Sequence, residues 1–357
     1  MKLSNSAPAI RTIDSRVSAA RDYILSCQRS DGAILWFDGG KLDPWDHTEA
    51  AMGLSICGEF EAAKQAFRWL SKHQNSDGSW FTKYYGEQEF EAIRADGGKD
   101  RNKIETNFVA YPATGLWHFY CASKDKAFLM EHYPTVVKAI NYVLTLQTAE
   151  GDIQWASSTA ETLPHDALLT ACASIARSLE CAIKIATLLG EPTLKWLQAY
   201  RKLAEALRNK PWRFDRTWES KERFSMDWFY PVLAGIYTQS EARIRLDERW
   251  STFVNPNFGC RCVSDEPWIT VAESCELCLA LIASGQKGKA QELLHLLLRW
   301  QDVDGGFWTG YSTRDEVIWP EEKTSWTAAA FLLATDALEN ITPAASLFTS
   351  PSSLLTF

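Results

Sequence analysis

The sequence predicts an all-α protein, a closed ring of six helical hairpins forming an (α/α)6 toroid. Three observations predict it. A Gln–Gly–Trp turn recurs along the chain, a one-sided amphipathic helix precedes each such turn, and a far more apolar helix follows it.

Gln28 opens QRSDGAILW, Gln74 opens QNSDGSW, Gln147 opens QTAEGDIQW and Gln301 opens QDVDGGFW. The amphipathic segments RDYILSC, FRWLSKH, INYVLTL and LLHLLLRW lead into them. Glycine permits the positive-φ turn that ends a helix, the preceding acid (Asp31, Asp77, Asp304) suits the turn, and Trp can fold back over the chain. Gln can hydrogen-bond exposed backbone at a neighbouring helix end. Successive Gln positions lie 46, 73 and 154 residues apart, and the last gap holds two degenerate units, at 206–215 and 249–263. Six units result.

The second helices are HTEAAMGLSICG, ETNFVAYPATGLWHFYCAS, DALLTACASIARSLECAIKIATLLG, SMDWFYPVLAGIY, ITVAESCELCLALIASG and KTSWTAAAFLLATDAL. A helix apolar nearly all round is buried, so each hairpin pairs an outer helix with an inner one. Six pairs close on themselves and need no capping unit. Residues 1–340 are therefore read as one toroid domain, and 341–357 as a tail or strap across its outside.

Composition narrows the function. The chain of 357 residues carries a net charge of −8, a poor match for nucleic acid or anionic lipid. The N-terminus has no apolar signal segment and no run is long enough to span a bilayer, while peripheral membrane contact stays open. Nine Cys, an odd number, read as reduced thiols of a cytoplasmic protein. Cys260, Cys262, Cys275 and Cys278 have a zinc-like spacing, but the latter two sit in an apolar helix and are assigned to packing. No cofactor and no metal are expected.

Parallel inner helices gather their N-termini at one mouth, where polar residues concentrate: Asp43, Asp46, His47 and Glu49, then Glu105 and Asn107, His165 and Asp166, Asp227, Glu273, and Glu321, Glu322 and Lys323. Trp45, Phe108, Tyr111, Trp228, Tyr230, Trp268, Trp319 and Trp326 accompany them. Helix capping explains part of these acids. It does not explain carboxylates beside Trp inside apolar helices, where desolvation raises a carboxyl pKa and makes a general acid.

The Gln–Gly–Trp repeat resembles the QW motif of the terpenoid cyclase and protein prenyltransferase superfamily, over about Arg21 to Leu338. The segment Pro44-Trp45-Asp46-His47-Thr48-Glu49 is similar to the acid motif of class II terpene cyclases. That resemblance implies Asp46 as proton donor to an isoprenoid, His47 tuning it, and Trp45, Phe108, Tyr111, Trp228 and Trp326 lining a cation-stabilising pocket. The charged, Gly-bearing segment 82–103 is read as a mobile flap or as a solvated loop.

The expected function is acid-initiated cyclisation of an isoprenoid. The alternative is a carbohydrate-active toroid, a glycoside hydrolase, lyase or epimerase, in which Asp46 works with Glu105 or Asp227 as acid and base and indoles stack on sugars. More than one proton donor at the mouth favours this alternative. A third reading is a binding toroid without catalysis. The substrate is in either enzymatic case a small molecule, isoprenoid or sugar.

Overall fold

The computed structural model describes residues 13–85, 103–158 and 162–355. The outer helices are α1 (Ile13–Ser26), α3 (Phe60–His73), α5 (Lys126–Thr145), α7 (Leu194–Asn209), α9 (Gln239–Glu248) and α12 (Lys287–Leu297), with α10 (Trp250–Phe253) a single extra turn. The inner helices are α2 (Pro44–Ile56), α4 (Thr106–Ser123), α6 (Leu169–Leu189), α8 (Ser225–Leu233), α11 (Val271–Ala283) and α13 (Ser325–Glu339). Short antiparallel ladders join β1 (Lys103–Glu105) to β2 (Ala156–Ser158) and β3 (Val254–Asn255) to β4 (Gly259–Cys260). A third sheet runs β5 (Trp268–Thr270), β6 (Gly310–Ser312) and β7 (Val317–Ile318).

Each inner helix packs on the next, in the order α2, α4, α6, α8, α11 and α13, and α13 packs back on α2. Burial follows the pattern in the sequence. All of α2 is buried, whereas α3 buries only Ala63, Ala66, Phe67, Trp69 and Leu70 along one side.

The recurring turn is a staple between outer helices. Gln28 Nε2 donates to Gly32 O in its own turn (3.2 Å) and to Ala62 O in α3 (2.9 Å). Gln74 does the same to Gly78 (2.9 Å) and Thr135 in α5 (3.0 Å), and Gln147 to Gly151 (3.0 Å) and Ala199 in α7 (2.9 Å). Gln301 reaches Gly305 (3.0 Å) and Arg16 in α1 (2.9 Å), which closes the outer layer on its beginning. The partners are backbone carbonyls of the next helix, and Thr135 and Ala199 lie within helices rather than at their ends. Glycine is needed twice over at these turns. Their φ values are 94°, 97°, 105° and 92°, and a Cβ would collide with backbone oxygen of Gln65, Lys138, Lys202 or Ala19 in the adjoining helix.

Tryptophan does not hold one register in the repeat. The position six residues after Gln pairs back to it in three turns, where it is Ile34, Ile153 or Phe307, and is Trp80 in the second turn, all four buried. Only Trp80 folds back on its own hairpin, donating to Leu70 O (2.9 Å).

The six helix heads share one end of the ring, as six successive contacts show. Leu42 bridges Tyr84, Thr106 N donates to Trp155 O, and Ala167 bridges Phe214. Ser225 N donates to Cys262 O, Val271 N to Thr309 O, and Ser325 N to Trp36 O, returning to the first unit.

The C-terminal segment does not run along the outside. Ser352 N donates to Gly235 O beyond the end of α8, and Arg177 of α6 donates to Ser350 O. Glu180, fully buried, accepts from Ser353 and pairs with Arg177 (2.7 Å) and Lys184 (2.9 Å). The strap therefore lies against the C-terminal end of α8 and the middle of α6, away from the mouth. The flap expected over 82–103 falls mostly on residues 86–102, outside the described residues.

Candidate active site

Two tiers of side chains ring the mouth, set by helix register. Asp46, Phe108, Asp227 and Glu273 each occupy the third residue of an inner helix. Glu49, Tyr111, Tyr230 and Glu276 occupy the sixth, one turn deeper. Residues three apart share a helix face, so Asp46–Glu49 on α2 and Glu273–Glu276 on α11 are carboxyl pairs stacked along the ring axis.

The deeper tier is tied together by phenols. Tyr111 Oη donates to Glu49 Oε2 at 2.9 Å, and Tyr230 Oη donates to Glu276 Oε1 at 2.5 Å. Trp45 lies flat on Tyr111 with ring centroids 3.9 Å apart, and Tyr230 and Phe108 tilt against it at 5.9 and 6.1 Å. Burial pushes the Glu49 carboxyl up to about 8, against the hydrogen bond from Tyr111 and the nearby indole N–H groups of Trp326 and Trp45. Glu276 is driven well above the carboxylate range by burial and then by the charge of Glu49, and its Oε2 is buried without a protein partner.

Asp46 is a desolvated carboxyl at the mouth. Only 7% exposed, it is pushed well above its usual range by burial and by the neighbouring charges of Asp43 and Glu49, which Lys41 opposes. Its Oδ2 is buried without a protein partner, so no hydrogen bond stabilises a charge on that oxygen. Asp43 holds Asp46 in place. It caps α2 by accepting from Asp46 N at 2.8 Å and takes the Trp36 indole N–H at 2.7 Å, with burial raising it to about 6. Glu273, 7% exposed, is raised by burial, which the polar groups of Thr270, its own backbone and Cys262 oppose.

Several expected site residues do other work. His47 is fully buried between two backbone groups: Nδ1 accepts from Ile34 N (3.0 Å) and Nε2–H donates to Ala66 O (2.9 Å). Burial lowers it to about 4, so it is a neutral strut and does not tune Asp46. Asp166 is locked by Thr217 N and Oγ1, Ala167 N and Arg216, fastening two turns together. Trp228 points between the layers, its indole donating to Arg245 O (2.8 Å) and its ring stacked on Phe253. Trp268 donates to Trp319 O (2.7 Å) and meets that ring edge-on, a pair on the β5–β6–β7 sheet with Trp319 56% exposed.

The remaining expected residues stay at the mouth. Glu105 pairs with Lys103 (2.8 Å) ahead of α4, Asn107 is the second residue of α4, and Trp326 is the second of α13. Glu322 lies in the preceding turn, where its carbonyl accepts from Thr309 N. Asp227 sits beside Thr170, whose hydroxyl it accepts at 2.9 Å; burial raises it to about 6. Asp46 is not among the groups that shift it, in contrast with Glu276, whose charge raises Asp46. Glu276 therefore lies near Asp46, with Glu273 one turn above it on the same face of α11, and Asp227 lines a neighbouring cleft.

Sequence reasoning missed Glu276, Lys41 and Trp36. Glu276 carried a usable signal, an acid three residues after Glu273 inside the apolar run SCELCLAL, matching the Asp46–Glu49 spacing. Among the described residues no group of three or more His, Cys, Asp or Glu converges as metal ligands would. Cys260, Cys275 and Cys278 are buried in the core.

Along 325 residues the chain is 42% identical to the MMP endo-(1,4)-3-O-methyl-α-D-mannosidase of Mycolicibacterium hassiacum, a match spanning 91% of this chain and 86% of that one. The chain belongs to this mannosidase family. That membership overturns the resemblance to terpenoid cyclases and prenyltransferases and, with it, the isoprenoid cyclase expectation; the carbohydrate alternative is the one it favours. The QW-like turn misled because it staples helices whatever the chemistry at the mouth. Solved structures agree on the fold. A glycosidase in complex with glucose aligns with a TM-score of 0.68 at 13% identity, covering 91% of this chain and 96% of that one. The GH63 mannosylglycerate hydrolase of Thermus thermophilus in complex with glucose aligns with a TM-score of 0.65 at 14% identity, covering 89% and 99%. No family profile matches the chain. Among the described residues no helix is long and apolar enough to cross a membrane.

Proposed function

We propose that this chain is an (α/α)6 toroid that hydrolyses internal α-(1→4) links of an O-methylated mannose polysaccharide, with Asp46 as general acid and Glu273 as general base. Family membership supports the reaction class, because the mannosidase relative is named for this linkage and for a 3-O-methylated sugar. The observation that carries the assignment of Asp46 is its desolvated carboxyl, one oxygen of which has no protein partner.

A protonated Asp46 donates to the glycosidic oxygen as the C1–O bond breaks. Glu273 takes a proton from water as its oxygen bonds to C1, leaving a reducing end and a new free 4-hydroxyl. The two residues occupy the same third position of their helices, α2 and α11, which flank α13 in the ring. Trp45, Tyr111 and Tyr230 floor the basin, and phenols pinned to Glu49 and Glu276 keep those rings from turning. Glu49 and Glu276 act through position, as buried carboxyls titrating together with Asp46, so that ionisation of any one of them raises the others.

Incubation of the protein with methylmannose polysaccharide tests the reading. Shorter oligosaccharides should accumulate, with Asp46→Asn and Glu273→Gln each cutting kcat about 100-fold or more. Full activity in either variant removes that residue from its role. Absence of cleavage by the unaltered protein sinks the proposal.

A further inference from the structure

Beside the basin lies a second concavity of about 230 Å³ at the heads of α6 and α8. Trp155 and Trp218 wall it edge to face, with centroids 5.8 Å apart, and Leu168, Phe224 and Met226 complete an apolar surface rimmed by Thr170, Lys221 and Asp227. Its place is fixed by the turns. Leu168 precedes the first residue of α6, Met226 and Asp227 are the second and third of α8, and Trp155 O accepts from the head of α4. The cleft therefore opens at the same end of the ring as Asp46 and Glu273. Lys103 lies over the Trp155 ring at 4.2 Å while pairing with Glu105, which fixes that indole from behind.

Such a lining is ill-suited to an ordinary polyhydroxylated sugar. A hydroxyl pressed against two indoles, a leucine and a methionine would lose its water without gaining a partner, and Thr170 already occupies Asp227 Oδ1. A methoxyl has no hydrogen to satisfy. The volume equals about eight waters, enough for a methoxyl with the edge of the ring that bears it. We infer that this cleft is a subsite that takes the O-methyl face of a mannose unit and makes the enzyme select methylated over unmethylated α-mannan. The inference rests on the proposed glycosidase reading for its occupant and on the cleft geometry for its selectivity.

The test measures binding and turnover separately, on paired α-(1→4)-mannooligosaccharides with and without 3-O-methyl groups. Two variants are needed, because the Trp218 indole also holds Asp215: Trp218→Ala removes a wall, and Leu168→Asn adds a polar group with the wall intact. The expected result is a methylated-to-unmethylated kcat/KM ratio that falls about tenfold in both, with turnover of the unmethylated substrate kept. Binding is read in the Asp46→Asn background, where the same variants should lose affinity for the methylated chain alone. Equal losses on both substrates, or an unchanged ratio, overturn the cleft while leaving the hydrolase standing. Preferential binding that the variants abolish, without turnover by the unaltered enzyme, upholds the cleft and overturns the hydrolase. No preference in binding or turnover overturns the cleft as well.

Discussion

Tyr111 donates its phenolic hydrogen to Glu49 Oε2 at 2.9 Å, one helical turn below Asp46 and beneath the flat face of Trp45. A carboxyl placed so deep is held by one strong polar partner and costs desolvation whenever it ionises. The proposed acid and the stability of the ring are consequently linked.

Glu49→Gln should remove much of the pH dependence of stability between about pH 4.5 and 8. The folded pKa of about 8 lies above the ordinary 4.5, so the folded state binds the extra proton. The stabilisation is full below about 4.5 and is lost as pH rises towards 8. Melting temperatures across that range should fall for the unaltered protein and fall less for the variant. Parallel curves would contradict this.

Tyr111→Phe should cost about 1–3 kcal/mol, because it strands a buried carboxyl oxygen. Denaturant unfolding at pH 5 and pH 8 measures it. The cost should be larger at pH 8, where more of Glu49 is charged and needs the phenol.

Asp46→Asn separates function from stability. Activity should be lost, yet the melting temperature at pH 7.5 should hold or rise, since an amide avoids the desolvation that raises this carboxyl. A clear drop in stability would mark Asp46 as a structural strut.

His47→Ala should behave in the opposite way, destabilising by about 2–4 kcal/mol because two backbone groups lose their partners. Its folded pKa of about 4 lies below the ordinary 6.5, so its contribution is whole above 6.5 and fades as pH falls towards 4. The penalty of the variant should therefore shrink in acid. Residual turnover per folded molecule should persist.

Gly305→Ala should unfold the ring most severely, by more than about 3 kcal/mol, since φ is 92° and the new methyl meets the backbone oxygen of Ala19. Gly288→Ala, on exposed α12 with open space around it, should be neutral or gain up to about 1 kcal/mol. Thermal scans of the pair distinguish the staple from a general intolerance of glycine replacement.

Periodicity and four well-formed turns were enough to read six hairpins from the chain alone, because Gln28, Gln74, Gln147 and Gln301 each act locally, on their own glycine and on the next outer helix. The crowding of acids and indoles at the helix heads was legible for the same reason, since register along a helix is a property of sequence. What the tertiary structure alone decided is which of those heads look at each other. His47, Asp166 and Trp228 sit at positions indistinguishable in sequence from Asp46, yet neighbouring backbone, the Arg216–Thr217 loop and Phe253 claim them. Glu276 enters the basin only because α11 and α2 are brought into one ring, where burial and mutual repulsion, rather than any motif, raise the carboxyl that can give up a proton.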